Sequence, residues 1–212
     1  MKKNLDILIE RGDAESPFVT VVFCAVISSM IIFFVFVVFF LHCTVYGSSM
    51  QPTLHTGDVI LVSQYKTRIK SGDIIILDER SNKYKKVLIK RAAATEGEVF
   101  KFVKVGEYVD FYKKNSAGNF EKIIEPYING PMKDDDFNKS LFTYDVEYTV
   151  PENHIFFLGD NRNDSSDSRA YNYARTEYII GEKVFIAKKG TLFYFFLSII
   201  YGADPVSEDA KL

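Results

Sequence analysis

The sequence contains one long apolar run, from Phe18 to Leu41, that holds no Asp, Glu, Lys or Arg. A helix rises 1.5 Å per residue, so this run would be roughly 36 Å long and could cross a hydrocarbon core of about 30 Å with some tilt. A cleaved signal peptide has a shorter apolar stretch, about 7–15 residues, followed by a small-residue cleavage site. The pattern therefore predicts a retained transmembrane helix over residues 18–41.

Basic residues on either side of this run predict its orientation. Those that precede it are Lys2, Lys3 and Arg11, and the next one after it is Lys66. Lys and Arg near the ends of a span stay on the cytoplasmic side. We therefore expect residues 1–17 to be a cytoplasmic segment and residues 42–212 to be an extracytoplasmic domain, anchored in the plasma membrane by a single pass.

Charge and cysteine content limit what the domain outside the run can be. The net charge is -2, so no large basic field points to a nucleic acid partner. Cys24 and Cys43 would be roughly 28 Å apart along a helix, too far for a disulfide. The domain must therefore be stabilised by a packed core.

Short segments rich in β-branched and aromatic residues recur between Gly and Asp turn signals, which is typical of strands. The predicted strands are Asp58–Gln64, Asp73–Leu77, Lys86–Ala92, Val99–Val105, Tyr108–Tyr112, His154–Leu158 and Lys183–Ala187. This pattern predicts a mainly β fold, a β-sandwich or partly closed barrel, tethered by one N-terminal transmembrane helix.

Two segments differ from this strand pattern. Residues 113–150 are charged and polar and predict an inserted subdomain; Asp134–Asp136 within it could bind a metal, but a solvated loop is favoured. Residues 192–201 are apolar but too few to cross a membrane as a helix. They are either a buried final strand or an aromatic segment at the membrane interface.

A nucleophile candidate follows the apolar run in Gly47–Leu54, which reads Gly-Ser-Ser-Met-Gln-Pro-Thr-Leu. A serine hydroxyl is a weak nucleophile and needs a neighbouring base. The three histidines, His42, His55 and His154, stand where histidine is usually structural or on the surface.

A lysine can replace the histidine if burial lowers its pKa enough to make the amine neutral. By period-two alternation, Lys90 shares a strand face with Leu88 and Ala92, and this face is otherwise apolar. The alternative is a lysine on an edge strand that points to water.

Three segments together resemble the signature segments of the bacterial type I signal peptidases, in order and in spacing. They are Ser49–Leu54, Lys90-Arg91 and Gly159–Arg169, and the likeness also covers Gly72-Asp73, Pro151-Glu152 and the anchor. The resemblance, which is to the Gram-positive members in particular, implies a membrane-bound serine endopeptidase that removes signal peptides from secreted preproteins by Ser-Lys acyl transfer.

The resemblance also implies roles for individual residues. Ser49, directly before Met50, takes the place of the nucleophile, and Ser48 is a bystander. Lys90 takes the place of the general base, and Ser165 that of the serine which orients this lysine by a hydrogen bond.

Further residues match supporting positions of the same family. Asp167, Arg162 and Arg169 match a charged cluster that braces the site, and Asp160 is assigned a structural role. Gly47 stands where some members have a Ser or Thr that helps to hold the oxyanion, and where Gram-positive members also have Gly.

No metal or organic cofactor is expected. The segment from Asp160 differs from a calcium loop because Ser165 stands at the sixth position instead of Gly and Tyr171 at the twelfth instead of Glu. The expected partners are signal-peptide-bearing preproteins and the lipid bilayer, without nucleic acid, and the expected state is a monomer. The alternatives are a specialised Ser-Lys processing peptidase of the same fold, a self-cleaving regulator with Ser-Lys chemistry, and an inactive membrane-tethered binding protein.

Overall fold

The computed structural model describes residues 17–63, 68–78 and 86–201. The chain divides into two compact units, one ending at Phe39 and the other beginning at Phe40. The predicted cytoplasmic segment, apart from Pro17, lies outside the described residues.

The first unit contains a single described helix, α1, at Pro17–Phe39. The part of α1 from Pro17 to Phe36 is long enough and apolar enough to cross a membrane, and none of it is buried within the protein. Phe40 and Leu41, which the sequence places in the same helix, lie in a strand and pair with Ser63 and Val62. These two residues leave the helical pattern because a neighbouring strand provides backbone partners.

The second unit contains a seven-stranded sheet and a five-stranded sheet. The strands of the larger sheet are β1 Phe40–Thr44, β2 Val59–Ser63, β3 Ile74–Leu77, β4 Leu88–Thr95, β10 His154–Leu158, β11 Ala174–Arg175 and β12 Ile179–Ala187. Their order in the sheet is β1-β2-β12-β3-β4-β10-β11, and the pairs are antiparallel. The prediction of a mainly β fold is confirmed.

The strands of the smaller sheet are β5 Val99–Val105, β6 Tyr108–Lys114, β7 Phe120–Lys122, β8 Met132–Lys133 and β9 Tyr148–Thr149. Their order in the sheet is β7-β6-β5-β9, and β8 pairs with β6. Residues 113–150 therefore complete a sheet with the strands that precede them. A short helix, α2 at Asp134–Phe137, follows β8, and Asp134 accepts hydrogen bonds from Lys104 and Tyr144.

Three apolar clusters hold the second unit together. One joins the two sheets, because Phe100 and Phe102 of β5 pack with Phe156 of β10 and with Ala94 of β4. The other two lie on the larger sheet, and one of them contains Met50 and Leu54, the apolar residues that flank Gln51-Pro52-Thr53. The turn after β1 is thus fixed by core packing, at about 1.5–3 kcal/mol for each large side chain buried.

The remaining described helices are α3 at Ser168–Tyr171, a short 3₁₀ helix at Thr176–Tyr178 and α4 at Leu192–Tyr201. The strand alternative for residues 192–201 is therefore wrong. Thr191 begins α4, since its Oγ1 accepts a hydrogen bond from Tyr194 N–H at 3.3 Å and so satisfies one of the unpaired donors of the first turn.

Candidate active site

A cleft of about 320 Å³ in the larger sheet contains both Ser49 and Lys90. The turn that follows β1 provides Ser49, and β4 provides Lys90. The other lining residues are His42, Cys43, Thr44, Val45, Tyr46, Gly47, Met50, Val87, Leu88 and Ile89. A larger cavity of about 570 Å³, near His154, is lined by neither Ser49 nor Lys90.

Lys90 is buried, with only 3% of its surface exposed. It lies in β4, an interior strand between β3 and β10, and is opposite Ile75 of β3. Leu88 and Ala92 belong to the same apolar cluster as Ile75. The alternative of an edge-strand lysine that points to water is therefore wrong, and the alternation of the sequence explains the burial.

The Lys90 amine is held by a hydrogen bond from its Nζ to Ser165 Oγ at 3.1 Å. Burial lowers the pKa of Lys90 to about 8, because a charged amine loses its hydration inside the protein. The carboxylate of Asp167 opposes this shift and the guanidinium of Arg169 adds to it. A substantial fraction of the amine is therefore neutral near pH 8, and a neutral amine can accept a proton.

The loop with Ser165 begins where β10 ends, and β10 is paired with β4 through Leu158 and Arg91. Asp167 is fully buried and accepts hydrogen bonds from Gly159 N–H at 3.0 Å and from Arg169 Nε at 2.8 Å. Burial alone would raise the pKa of Asp167, but the charge and hydrogen bonds of Arg169 outweigh it and lower this pKa. The ionised Asp167 thus fixes both ends of the loop.

Asp160 connects the three sequence segments. Its carboxylate accepts two hydrogen bonds from Arg91, at 2.7 and 2.6 Å, and one from Thr53 at 2.5 Å. Two-pronged pairs of this kind fix the orientation as well as the distance. The turn with Ser49, the strand with Lys90 and the loop with Ser165 therefore share one buried carboxylate.

Arg162 pairs with a residue that the sequence does not single out. Its guanidinium binds both carboxylate oxygens of Glu125, and its Nε donates to Gly159 O at 3.0 Å. The side chains of both Arg162 and Glu125 are nearly inaccessible. Asp167 pairs instead with Arg169, so the charged cluster consists of two separate ion pairs.

Tyr127 is a second residue that the sequence does not single out. Its ring lies 3.8 Å from the Arg91 guanidinium carbon, and its hydroxyl donates to Glu125 at 2.9 Å. Glu125 and Tyr127 come from residues 113–150 and brace Arg91 and Arg162 from outside the sheet. In the sequence these two residues stand in Glu125-Pro126-Tyr127, between the short strands β7 and β8. This run has no periodicity that would indicate a contact with Arg91 or Arg162.

The structure distinguishes the two adjacent serines. Ser48 donates its hydroxyl to the Asp164 carboxylate and does not line the cleft, whereas Ser49 lines it. The carbonyl of Ser49 accepts from Asn161 N–H at 3.0 Å, which ties the turn to the loop that carries Ser165. Gly47 lines the cleft with φ +85°, a conformation that glycine adopts easily.

Of the three histidines, His42 lines the cleft. His55 is exposed and its backbone N–H donates to Asp58, and His154 lines the larger cavity. Within residues 17–63, 68–78 and 86–201, no group of three or more His, Cys, Asp and Glu side chains is arranged to hold a metal ion.

Comparison with known proteins identifies the family. Residues 18–188 match the model of the family described as signal peptidase, peptidase S26. The chain belongs to this signal peptidase family. The match includes α1 from Phe18 onward, both sheets and each residue of the cleft, so the predicted family and enzyme class are confirmed.

Two relatives from Bacillus subtilis (strain 168) illustrate this signal peptidase likeness. Signal peptidase I V is 33% identical over 67% of this chain and 82% of its own length. Signal peptidase I T is 30% identical over 66% of this chain and 69% of its own length. A solved signal peptidase I from Enterococcus faecalis V583 covers 55% of this chain and 97% of its own, at 20% identity and a TM-score of 0.37, too low a likeness to bear on the fold.

Proposed function

We propose that this chain removes signal peptides from secreted preproteins, with Ser49 as nucleophile and Lys90 as general base. The observation that supports this most is that a buried lysine with a lowered pKa lines the same cleft as the serine of Ser-Met-Gln-Pro. Ser165 would act as the positioning residue, since it accepts the hydrogen bond from Lys90 Nζ.

The chemistry is acyl transfer in two halves. Neutral Lys90 takes the Ser49 hydroxyl proton while the oxygen attacks the carbonyl carbon at the end of the signal peptide. The tetrahedral intermediate collapses, the C–N bond breaks, and Lys90 gives its proton to the leaving amine of the mature protein. Water then loses a proton to neutral Lys90 and attacks the acyl carbon. The bond to the Ser49 oxygen breaks, this oxygen takes the proton back from Lys90, and the signal peptide leaves with a free carboxyl group. The Ser49 N–H is a natural donor to the oxyanion, and the reaction requires no cofactor.

The membrane determines which peptide bonds reach the cleft. Even a fully extended chain from Leu41 to Ser49 reaches only roughly 28 Å, so Ser49 stays near the bilayer. We further propose that the cleft faces the extracytoplasmic side of the plasma membrane, because the basic residues near α1 precede it. A signal peptide anchored in the same membrane presents its cleavage site at a similar height.

The experiment that tests this function uses the purified full chain in detergent and a preprotein with alanine at the first and third positions before the cut. We expect one cut, directly after the alanine at the first position before the cut. The mass of the mature product identifies this site. A matched preprotein with bulky residues at both positions is the control and should remain intact. Absence of cleavage of the alanine preprotein, or cleavage of both preproteins at unrelated sites, would contradict the proposal.

A further inference from the structure

One face of α4 is apolar and exposed. Leu192, Phe195, Phe196 and Ile199 point away from the protein, with 52–73% of their surfaces accessible. The helix sequence Leu-Phe-Tyr-Phe-Phe-Leu-Ser-Ile-Ile-Tyr holds no charged residue. Contiguous apolar patches on a protein surface mark sites of contact with a membrane or with a partner protein.

The opposite face of α4 is packed against the protein. Leu197 is 2% exposed, and Tyr194 and Ser198 are partly buried. Residues 194, 197 and 198 are spaced as one face of a helix, so α4 is docked by this face rather than loosely attached. Its apolar outer face is therefore held in a fixed direction.

The exposed surface continues onto β12. Val184 and Phe185 are about half exposed, and the Phe185 ring lies 4.7 Å from the Phe193 ring at the start of α4. We refer to the outer face of α4 together with Val184 and Phe185 as the apolar patch.

Strand register places this patch close to the point where the membrane helix ends. Phe185 of β12 is opposite Leu61 of β2, which is opposite His42 of β1. Neighbouring strands are about 4.8 Å apart, so Phe185 is roughly 10 Å from His42. His42 in turn follows the end of α1 at Phe39 by no more than roughly 10 Å of chain.

The charge around the patch suits a lipid surface. Lys188 and Lys189 are exposed directly before α4. Basic residues next to an apolar helix face attract anionic headgroups. An apolar face flanked by lysines and tethered to a membrane span fits the interface of that same bilayer.

We propose that the apolar patch lies in the headgroup and upper acyl region of the bilayer, as a second membrane contact besides α1. The helix is about 15 Å long, which is too short to cross, so it would lie along the surface. The membrane would then be contacted through α1, which leads into β1, and through the apolar patch beside β12, and β1 and β12 flank β2. These two contacts would fix the tilt, relative to the bilayer, of the sheet that contains the Ser49 and Lys90 cleft. This inference does not depend on the proposed cleavage activity, because its test is spectroscopic.

The absence of Trp from the sequence makes the test direct. Phe196→Trp introduces a single indole on the outer face of α4 in the full chain, reconstituted in phosphatidylcholine and phosphatidylglycerol vesicles. Tyr108→Trp is the matched control, since Tyr108 is exposed at the β5–β6 turn in the other sheet. Fluorescence is measured with acyl-brominated lipids and with aqueous iodide.

We expect brominated lipids to remove roughly half of the Phe196→Trp emission, because an interfacial helix is buried about 5–10 Å into the acyl boundary. Iodide should quench the Tyr108→Trp control far more than the Phe196→Trp variant. Adding Ile199→Asp to Phe196→Trp should abolish the lipid quenching while circular dichroism stays unchanged, since Ile199 is outside the core.

Two results would overturn the inference. If iodide quenched Phe196→Trp as strongly as the control, the patch would face water. If neither quencher reached the indole, protein would cover the patch, and a dependence on the ratio of protein to lipid would identify a second copy of this chain as the cover.

Discussion

Lys90 Nζ donates a hydrogen bond of 3.1 Å to Ser165 Oγ, across 75 positions of the sequence. The bond forms because β10 pairs with β4, so the loop that follows β10 begins beside the strand that carries the lysine. It fixes the direction of a buried amine, since only 3% of the surface of Lys90 is exposed. The bond therefore predicts that Ser165 controls the rate of the reaction rather than the binding of substrate.

Ser165→Ala should lower kcat with little change in KM. Removing a partner of a charged or polarised group costs about 1.5–3 kcal/mol, which corresponds to a loss of roughly 10- to 150-fold in kcat. The measurement is steady-state cleavage of a preprotein. Ser166→Ala, at the exposed neighbouring position, is the control and should retain nearly full kcat. An unchanged kcat in Ser165→Ala would contradict the positioning role.

The pH dependence of cleavage should report the Lys90 amine. The base must be neutral, and burial lowers its pKa to about 8, so kcat/KM should rise with pH, reach half its maximum near pH 8 and then level off. The charged groups that act on the pKa of Lys90 are Asp160, Asp164, Asp167 and Arg169. A flat profile between about pH 6 and about pH 10 would exclude a titrating amine base.

Gly159 should tolerate no side chain. A Cβ at this position would overlap the Ser165 hydroxyl and lie 2.5 Å from the Ser49 carbonyl oxygen. Gly159→Ala must therefore displace the turn that carries Ser49 or the side chain of Ser165. A shift of about 1 Å can cost roughly 100-fold in rate. Gly130→Ala is the matched control, because nothing lies within 4 Å of a Cβ at Gly130. Equal activity of the two variants would show that the packing at Gly159 does not matter.

Tyr127 should act through the stacking of its ring on Arg91. Tyr127→Phe keeps the ring and should cleave at nearly the normal rate, whereas Tyr127→Leu loses the stacking, worth about 0.5–2 kcal/mol, and should be slower by about tenfold. A loosened site would admit water and raise the pKa of Lys90, so the pH profile of Tyr127→Leu should shift to higher pH. A lower rate with an unshifted profile would mean that only the fraction of folded enzyme had changed.

Much of the fold was predictable because its signals are local. The apolar run predicts α1, and alternation predicts strands such as β5 and β10 to within a few residues. For residues 192–201 the sequence leaves a buried strand and an interfacial segment open, because a short apolar run does not distinguish a strand from a helix. The helix is stabilised by the burial of Leu197, which is 2% exposed. This burial is a tertiary contact, so the sequence of the segment alone does not indicate it.

The candidate site could be predicted only where its residues occur in compact motifs. The segments with Ser49, Lys90 and Ser165 each carry a recognisable run, and the structure brings all three into one region. Glu125 and Tyr127 were missed because their partners, Arg162 and Arg91, lie tens of positions away. Pairings of that kind arise from tertiary structure and leave no pattern in the sequence.

The most direct test of the account is the initial rate of preprotein cleavage by Ser49→Ala compared with Ser48→Ala. The two serines are adjacent, but only Ser49 lines the cleft with Lys90, whereas Ser48 binds Asp164. We expect Ser49→Ala to have no detectable turnover, Lys90→Ala to match it, and Ser48→Ala to retain most of the activity. Turnover by Ser49→Ala or Lys90→Ala at the rate of the unmodified protein would contradict the proposed dyad.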